Sequence, residues 1–240
     1  NIQAGTSYAE APFDVVSRPI ARGAENPYSH FPHLTFPMVR FAGVSTGNRS
    51  FSVISEGLKE YEALADADRT FALTIFRAYE NNICTSGDFD LEHRPGDLAQ
   101  SLGKHSYVYR IYPGEPGTGY EQLFAEADAL HAPMVVAETK ARAGDLPMEK
   151  GFIGLENAKL VLSGIKQASR SDALVIRLFN TTDLEQAGQL TFASPVLDAS
   201  YVNLNEEDLP VCPTFTGNRL DVSAGPKKIV TIAVKLAFQA

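Results

Sequence analysis

The chain has 240 residues, with 29 acidic against 21 basic side chains and a formal charge of −8; its mass is 26.0 kDa and its pI near 5.1. That is enough for one large domain, or two small ones, to bury a core without metal or disulfide staples. The acidic balance argues against a phosphate-neutralising nucleic-acid surface and against anionic membranes, and apolar runs such as Met134–Ala137 or Ala173–Ile176 fall far short of the ~20 residues that span a bilayer.

In chain order, the dominant signal is apolar alternation, the period-two mark of strands with one buried face. The opening residues, Asn1 to Gly5, read as a strand entered in its middle. Strands are predicted at Phe36–Phe41 and Phe51–Ser55, separated by the turn signal Gly47-Asn48. Glu56 to Ala65 has helical spacing through Leu58, Tyr61 and Leu64, which Gly57 weakens. Phe71, Leu73 and Ile75 alternate, and in a regular strand Arg77 continues their face. Tyr107, Tyr109 and Ile111 alternate against Val108, Arg110 and Tyr112, before turn signals at Pro113-Gly114 and Pro116-Gly117. Tyr120 to Leu130 carries Leu123, Phe124, Ala127 and Leu130 on one stripe and predicts a short helix. The polar stretch Thr139–Lys150 reads as a long surface loop. Further strands are predicted at Lys159–Ser163, through Leu174, Ile176 and Leu178, and at Gln189–Phe192 and Arg219–Val222. The last runs from Lys227 to Phe238, with Val230, Ile232, Val234, Leu236 and Phe238 on one face. Turns fall at Gly217-Asn218 and Gly225-Pro226. Many short strands with Gly/Pro punctuation and little helix predict an all-β sandwich.

Motifs for chemistry are sparse. The sequence has no Gly-x-Ser-x-Gly elbow, no phosphate-binding Gly-x(4)-Gly-Lys-Ser/Thr loop and no His-Glu-x-x-His. Gly114–Gly119 is glycine-rich with the wrong spacing for a dinucleotide loop and reads as a turn. His30 and His33 are parted by Pro32, which disfavours the helix that would bring both imidazoles to one side. Cys84 and Cys212 stand far apart, with neither disulfide nor metal spacing. Asp88, Asp90 and Glu92 alternate in a segment best read as a solvated loop, with no calcium-loop pattern. Two arginines stand out. Arg94, beside Pro95-Gly96, can present several donors to a sugar or a carboxylate, or form a surface ion pair. Arg77, continuing an apolar face, must be paired or bind something.

Taken in succession, several stretches resemble a known family: Phe13–Ile20, Ser29–Phe41, Ile54–Ala63, Arg69–Tyr79, Gly103–Pro113, Ala173–Asn180 and Gly225–Leu236. The strongest are Gly57-Leu58-x-Glu60-Tyr61-Glu62 and Leu73-Thr74-Ile75-Phe76-Arg77. Their order is similar to that of the C-terminal β-domain of glycoside hydrolase family 38, the α-mannosidases and bacterial mannosylglycerate hydrolases. The resemblance spans about Phe13 to Leu236. It implies an all-β antiparallel super-sandwich of the galactose-mutarotase type over residues 1–240, and a strand followed by a loop, not a helix, around Gly57–Glu62. It also implies a parent that is a retaining α-mannosidase-type glycosidase with one zinc ion. The nucleophilic aspartate, the acid/base and most of the zinc site then belong to an N-terminal α/β domain, followed by a helical bundle. Roughly 300 residues or more would precede this chain, about two domains. The chain itself is expected to hold no cofactor and no catalytic group, and to be inactive alone. Family members bring an arginine of this β-region towards the substrate; the matching positions here are Arg77 first, Arg94 second and Gln100 third.

Three readings follow. In the first, this region packs beside the parent's catalytic domain and walls the cleft for an α-mannoside, in a bacterial cytoplasm, with an apolar docking patch through which the isolated chain can self-associate. In the second it is an autonomous carbohydrate-binding module, for which the absence of Trp is unfavourable and nine Tyr are favourable. In the third it is an interaction or adhesion domain.

Overall fold

The computed structural model describes residues 2, 4–20, 35–78, 100–115, 119–140, 143–144 and 147–237. His30, His33, Cys84, Asp88, Asp90, Glu92, Arg94, Pro116-Gly117 and Phe238 lie outside them. The chain divides into two compact units, Asn1–Ala11 with Val16–Pro133, and Pro12–Val15 with Met134–Ala240. Nearly all of its regular structure is antiparallel β, with one helix among the described residues.

The first unit contains β1 (Thr6–Ala11), β2 (Asp14–Pro19, which enters it at Val16), β3 (Phe36–Pro37), β4 (Phe41–Thr46), β5 (Arg49–Ser55), β6 (Glu60–Ala63), β7 (Phe71–Leu73), β8 (Tyr109–Gly114) and the helix α1 (Tyr120–His131). Five strands form one sheet in the order β2-β1-β4-β5-β8, and three form a smaller sheet, β3-β6-β7. Ala9 and Ala42 of the large sheet share an apolar cluster with Met38, Leu58 and Tyr61. On the other face of the large sheet, Phe124 of α1 meets Phe41 edge-on at 5.1 Å.

The residues between Phe36 and Phe41 do not form one strand, because the chain changes sheets there. The Met38 N–H donates to the Lys59 carbonyl, and the Val39 N–H to that of Glu10. Helical spacing around Glu56–Ala65 is likewise overruled: the Ser55 hydroxyl accepts the Gly57 and Leu58 N–H groups, closing a turn that leads into β6. Pro113 and Gly114, read as a turn, end β8 instead, paired with Phe51 and Ser50. Proline is tolerated there because β8 is an edge strand. The helix runs one residue past its predicted end and buries Leu123, Phe124 and Ala127.

The second unit contains β9 (Ile153–Leu155), β10 (Leu160–Gln167), β11 (Leu174–Asn180), β12 (Gln186–Phe192), β13 (Val196–Val202), β14 (Phe215–Thr216), β15 (Arg219–Ala224) and β16 (Ile229–Leu236). Sheets β10-β11-β16-β13 and β14-β15-β12-β9 contribute Ile176, Leu178, Ile232 and Val234 from one side, and Leu190, Phe192, Leu220 and Val222 from the other, to one buried cluster. That is sandwich packing. Gly217, at φ +60°, makes the tight reversal between β14 and β15 that a side chain would strain. Asn180 is fully buried; its amide donates to the carbonyls of Leu184, Ala224 and Gly225, and its oxygen accepts from the Thr182 N–H and hydroxyl. One side chain thereby satisfies the backbone groups of two loop entrances.

Candidate functional site

Arg77 lies in the first unit, beyond the end of β7. The strand stops at Leu73, so the expected run of Phe71, Leu73, Ile75 and Arg77 along one regular strand face is broken, and Ile75 is exposed. The reason is local. Glu60, on β6, keeps the chain alongside through its carbonyl, which accepts the Thr74 N–H at 3.0 Å. Its carboxylate takes over from there, accepting the Thr74 hydroxyl at 2.7 Å and pairing with the Arg77 guanidinium. The backbone carbonyl of Arg77 accepts the Ser101 hydroxyl at 2.9 Å. Side chains have replaced the ladder.

That last bond brings two of the named positions to one edge, since half-buried Gln100 directly precedes Ser101. The loop that follows turns at Gly103, whose φ of +111° is a conformation glycine adopts without strain. His105 comes next, held by a 2.6 Å hydrogen bond between a ring nitrogen and the Ser101 carbonyl. Its ring lies nearly parallel to those of Phe76, 5.8 Å away with 11° between planes, and Tyr107, 6.1 Å away with 17°. Tyr107 packs on the core cluster around Tyr61, whereas Phe76 and His105 are exposed. Phe76, which precedes Arg77 in the chain, thus ends a stack of three rings leading from core to solvent.

Sequence reasoning singled out Arg77 and Gln100 but missed Phe76, His105 and the Glu60 anchor. Alternation signalled the arginine; only strand register and the Gly103 turn reveal its neighbours. Chemically, this edge offers ring surface and directed donors, because a guanidinium carries five N–H groups in a fixed fork.

A second polar cluster lies elsewhere in the first unit. Both oxygens of buried Glu10 accept bonds from Arg40, whose other arm reaches Asp128 at 2.5 Å. Burial pulls down the pKa of this guanidinium, but Glu10 and then Asp128 more than reverse that, leaving it above its ordinary value. Nearby, the Tyr8 phenol is pushed up by burial, although its 2.6 Å contact with the Ser52 hydroxyl opposes the shift. In the second unit, an open recess of about 800 Å³ is flanked by Glu156, Gln189, Tyr201 and Asp221. It contains none of the candidate substrate-side residues, and Cys212 at its rim is an exposed free thiol. Among the described residues, no group of three or more His, Cys, Asp or Glu side chains is placed to hold a metal ion.

Residues 159–232, from the threshold of β10 into β16, match the family described as "Glycosyl hydrolases family 38 C-terminal beta sandwich domain". The chain resembles the C-terminal β-region of glycoside hydrolase family 38. A Halalkalibacterium halodurans protein named "Putative mannosylglycerate hydrolase" is 22% identical over 228 residues, which is 95% of this chain and 24% of that protein. The fold is shared with the crystal structure of an α-mannosidase from Enterococcus faecalis V583, at a TM-score of 0.76 and 22% identity over 97% of this chain and 24% of that one. A second family 38 structure from Enterococcus faecalis gives a TM-score of 0.71 and 24% identity, over 97% of this chain and 25% of the other. The chain thus spans about a quarter of the length of these relatives. Arg77 and Gln100 lie outside the stretch matched by the family 38 domain.

Proposed function

We propose that this chain is the C-terminal β-region of a larger, retaining, zinc-dependent α-mannosidase-type glycosidase, supporting its catalytic domain and lining the substrate cleft. The match of residues 159–232 to the family 38 C-terminal sandwich carries this reading, and the names of the two relatives supply the substrate class. Glycoside hydrolysis by retention needs a nucleophilic carboxylate and an acid/base facing each other across the glycosidic bond. In this reading both groups, and the ligands of the zinc, belong to the larger protein outside these 240 residues, which works in a bacterial cytoplasm. The contribution of this chain is positional. Arg77, fixed through Glu60 and Ser101, directs its remaining N–H donors at sugar hydroxyls, with Arg94 and Gln100 as further substrate-side positions.

The test joins chemistry to this division of labour. The isolated chain, given a chromogenic α-mannoside with and without added zinc, is expected to show no turnover. The full-length parent is expected to turn it over, and Arg77→Ala in that parent to lower kcat/KM by about tenfold, the loss of one charge-assisted hydrogen bond. Appreciable hydrolysis by the isolated chain would falsify the assignment.

A further inference from the structure

We infer that the open edge of β8, in the first unit, is a docking edge completed by a strand from the part of the parent protein outside these 240 residues. β8 pairs with β5 on one side and ends its five-stranded sheet. The Glu56 N–H donates to the Val108 carbonyl at 3.3 Å, so in the antiparallel ladder Val108, Arg110 and Tyr112 turn their backbone groups towards β5. Those of Tyr109 and Ile111 point the other way, and among the described residues no strand pairs with them. The side chains tell the same story. Ala9, Ala42, Val53 and Ile111 are neighbours in register across four strands. Exposure along this row is 0%, 0% and 4%, and then 62% at Ile111. An apolar face buried on three strands thus runs into solvent on the fourth. Tyr109, exposed beside buried Ser55, repeats the pattern. Among the described residues of the first unit, the exposed large apolar side chains other than Tyr120 are Ile75, Phe76, Leu102, Val108, Tyr109 and Ile111. They come from β8, the stretch leading into it and the end of β7, which the Ser101–Arg77 bond ties to that stretch. Exposed apolar groups gathered in this way mark an interaction surface, and an open apolar edge is a template for strand addition. Arg110, the charge at the middle of the edge, is already paired with Glu126 of α1.

The choice of occupant rests on the reading of this chain as one region of a longer enzyme. It spans 24–25% of its relatives, which leaves about three quarters of a protein of that length to supply the strand. A second copy fits poorly. Centred on Arg110, it sets two guanidinium groups opposite each other. Centred farther along β8, it sets Pro113, which has no N–H, against a carbonyl that needs a donor.

The experiment is amide hydrogen exchange on the 240-residue chain and on the full-length parent, read at Tyr109 and Ile111. Exchange at both is expected to be at least about a hundredfold slower in the parent. Ile111→Lys should lower the thermal midpoint of the parent by several degrees and leave that of the isolated chain unchanged, with circular dichroism verifying that each variant is folded. The wild-type exchange decides alone if the parent variant does not fold. Equal exchange in the two proteins overturns the docking edge. Protection in the isolated chain that grows with its concentration assigns the edge to a second copy and overturns it too. A parent that protects Tyr109 and Ile111 but cleaves no α-mannoside upholds the edge and counts against the glycosidase reading alone.

Discussion

In the second unit, Leu220, Ile232 and Val234 are fully buried in an apolar cluster shared by two facing sheets. In the first, the buried positions include Ser7, Glu10, Ser52 and Ser55, each tied to a particular partner. Ser7 meets the Tyr61 hydroxyl at 3.1 Å, Ser52 meets that of Tyr8, and Glu10 is forked by Arg40. An apolar cluster tolerates small rearrangements, because dispersion and burial are non-directional. A polar tie is lost as soon as its geometry is lost, and it leaves behind a desolvated group. The unit that carries the arginine edge and the ring row thus spreads such ties over its strands, whereas the second unit gathers its main one at a single buried hub, Asn180.

The largest expected effect tests this at Glu10. Arg40→Ala strands a carboxylate that is only 5% exposed, and removing one partner of a buried pair costs about 3–5 kcal/mol. Arg40→Lys, which keeps the charge and loses the fork, should cost less. Chemical denaturation followed by circular dichroism measures the loss, and hydrogen exchange should place it in β1 and β4. A change below about 1 kcal/mol, the range of exposed pairs, would remove the contrast between the units. Leu220→Ala is the counterpart in the second unit. Emptying this site should cost about 2–5 kcal/mol, with exchange accelerating in β12 and β15, its paired strands.

The same contrast explains what could be read from the sequence. β15 buries Leu220, Val222 and Ala224 in strict alternation, and β16 turns Val230, Ile232, Val234 and Leu236 towards one cluster, so both were legible as strands. β1 buries four consecutive residues, Ser7 to Glu10, and β4 buries Phe41 to Val44. Covered on both faces, and partly by polar groups, such strands lose the period-two signature. Gly43 in β4 shows how close that covering is, since an added Cβ would lie 2.7 Å from the Tyr8 phenol oxygen. Beyond β7, the need of Arg77 for a partner was legible, because an arginine after an apolar run demands one. Glu60 as that partner was not: the pairing of β6 with β7 brings them together across residues that local spacing does not connect. His105 was hidden for a further reason, since its place in the ring row depends on the left-handed turn at Gly103.

A subtler probe of the first unit is Tyr61→Phe. The ring should stay stacked on Phe71, 5.2 Å away and 10° from parallel, so that only the hydroxyl contact to Ser7 is deleted. The Ser7 hydroxyl keeps a long contact with the Arg18 carbonyl, and the loss should be about 1 kcal/mol. A cost several times larger would show that the phenol orders the cluster around it.

The smallest effect lies on the surface of the second unit, where an ion pair of the opposite kind is found. Glu206 is bonded to Lys166 and to the Ser169 N–H and hydroxyl, and these partners, Lys166 first, lower its pKa from 4.5 to about 2. A carboxylate depressed on folding binds fewer protons in the native state than in the unfolded one. Its contribution is therefore complete above the unfolded value of 4.5 and is lost as pH falls from there to about 2. Glu206→Gln should lower the thermal midpoint slightly at neutral pH, and that difference should vanish at a pH of about 2, where the native carboxylate is itself becoming protonated. Added salt should shrink it as well, because the Lys166 ammonium that pairs with Glu206 is half exposed and open to screening, whereas the Arg40→Ala loss should persist in salt because both Arg40 and Glu10 are largely covered. A Glu206→Gln difference that survived both acid and salt would mean that its bonds to Ser169, rather than its charge, hold the strand end, and the second unit would then rely on a directional tie at its surface as well as at Asn180.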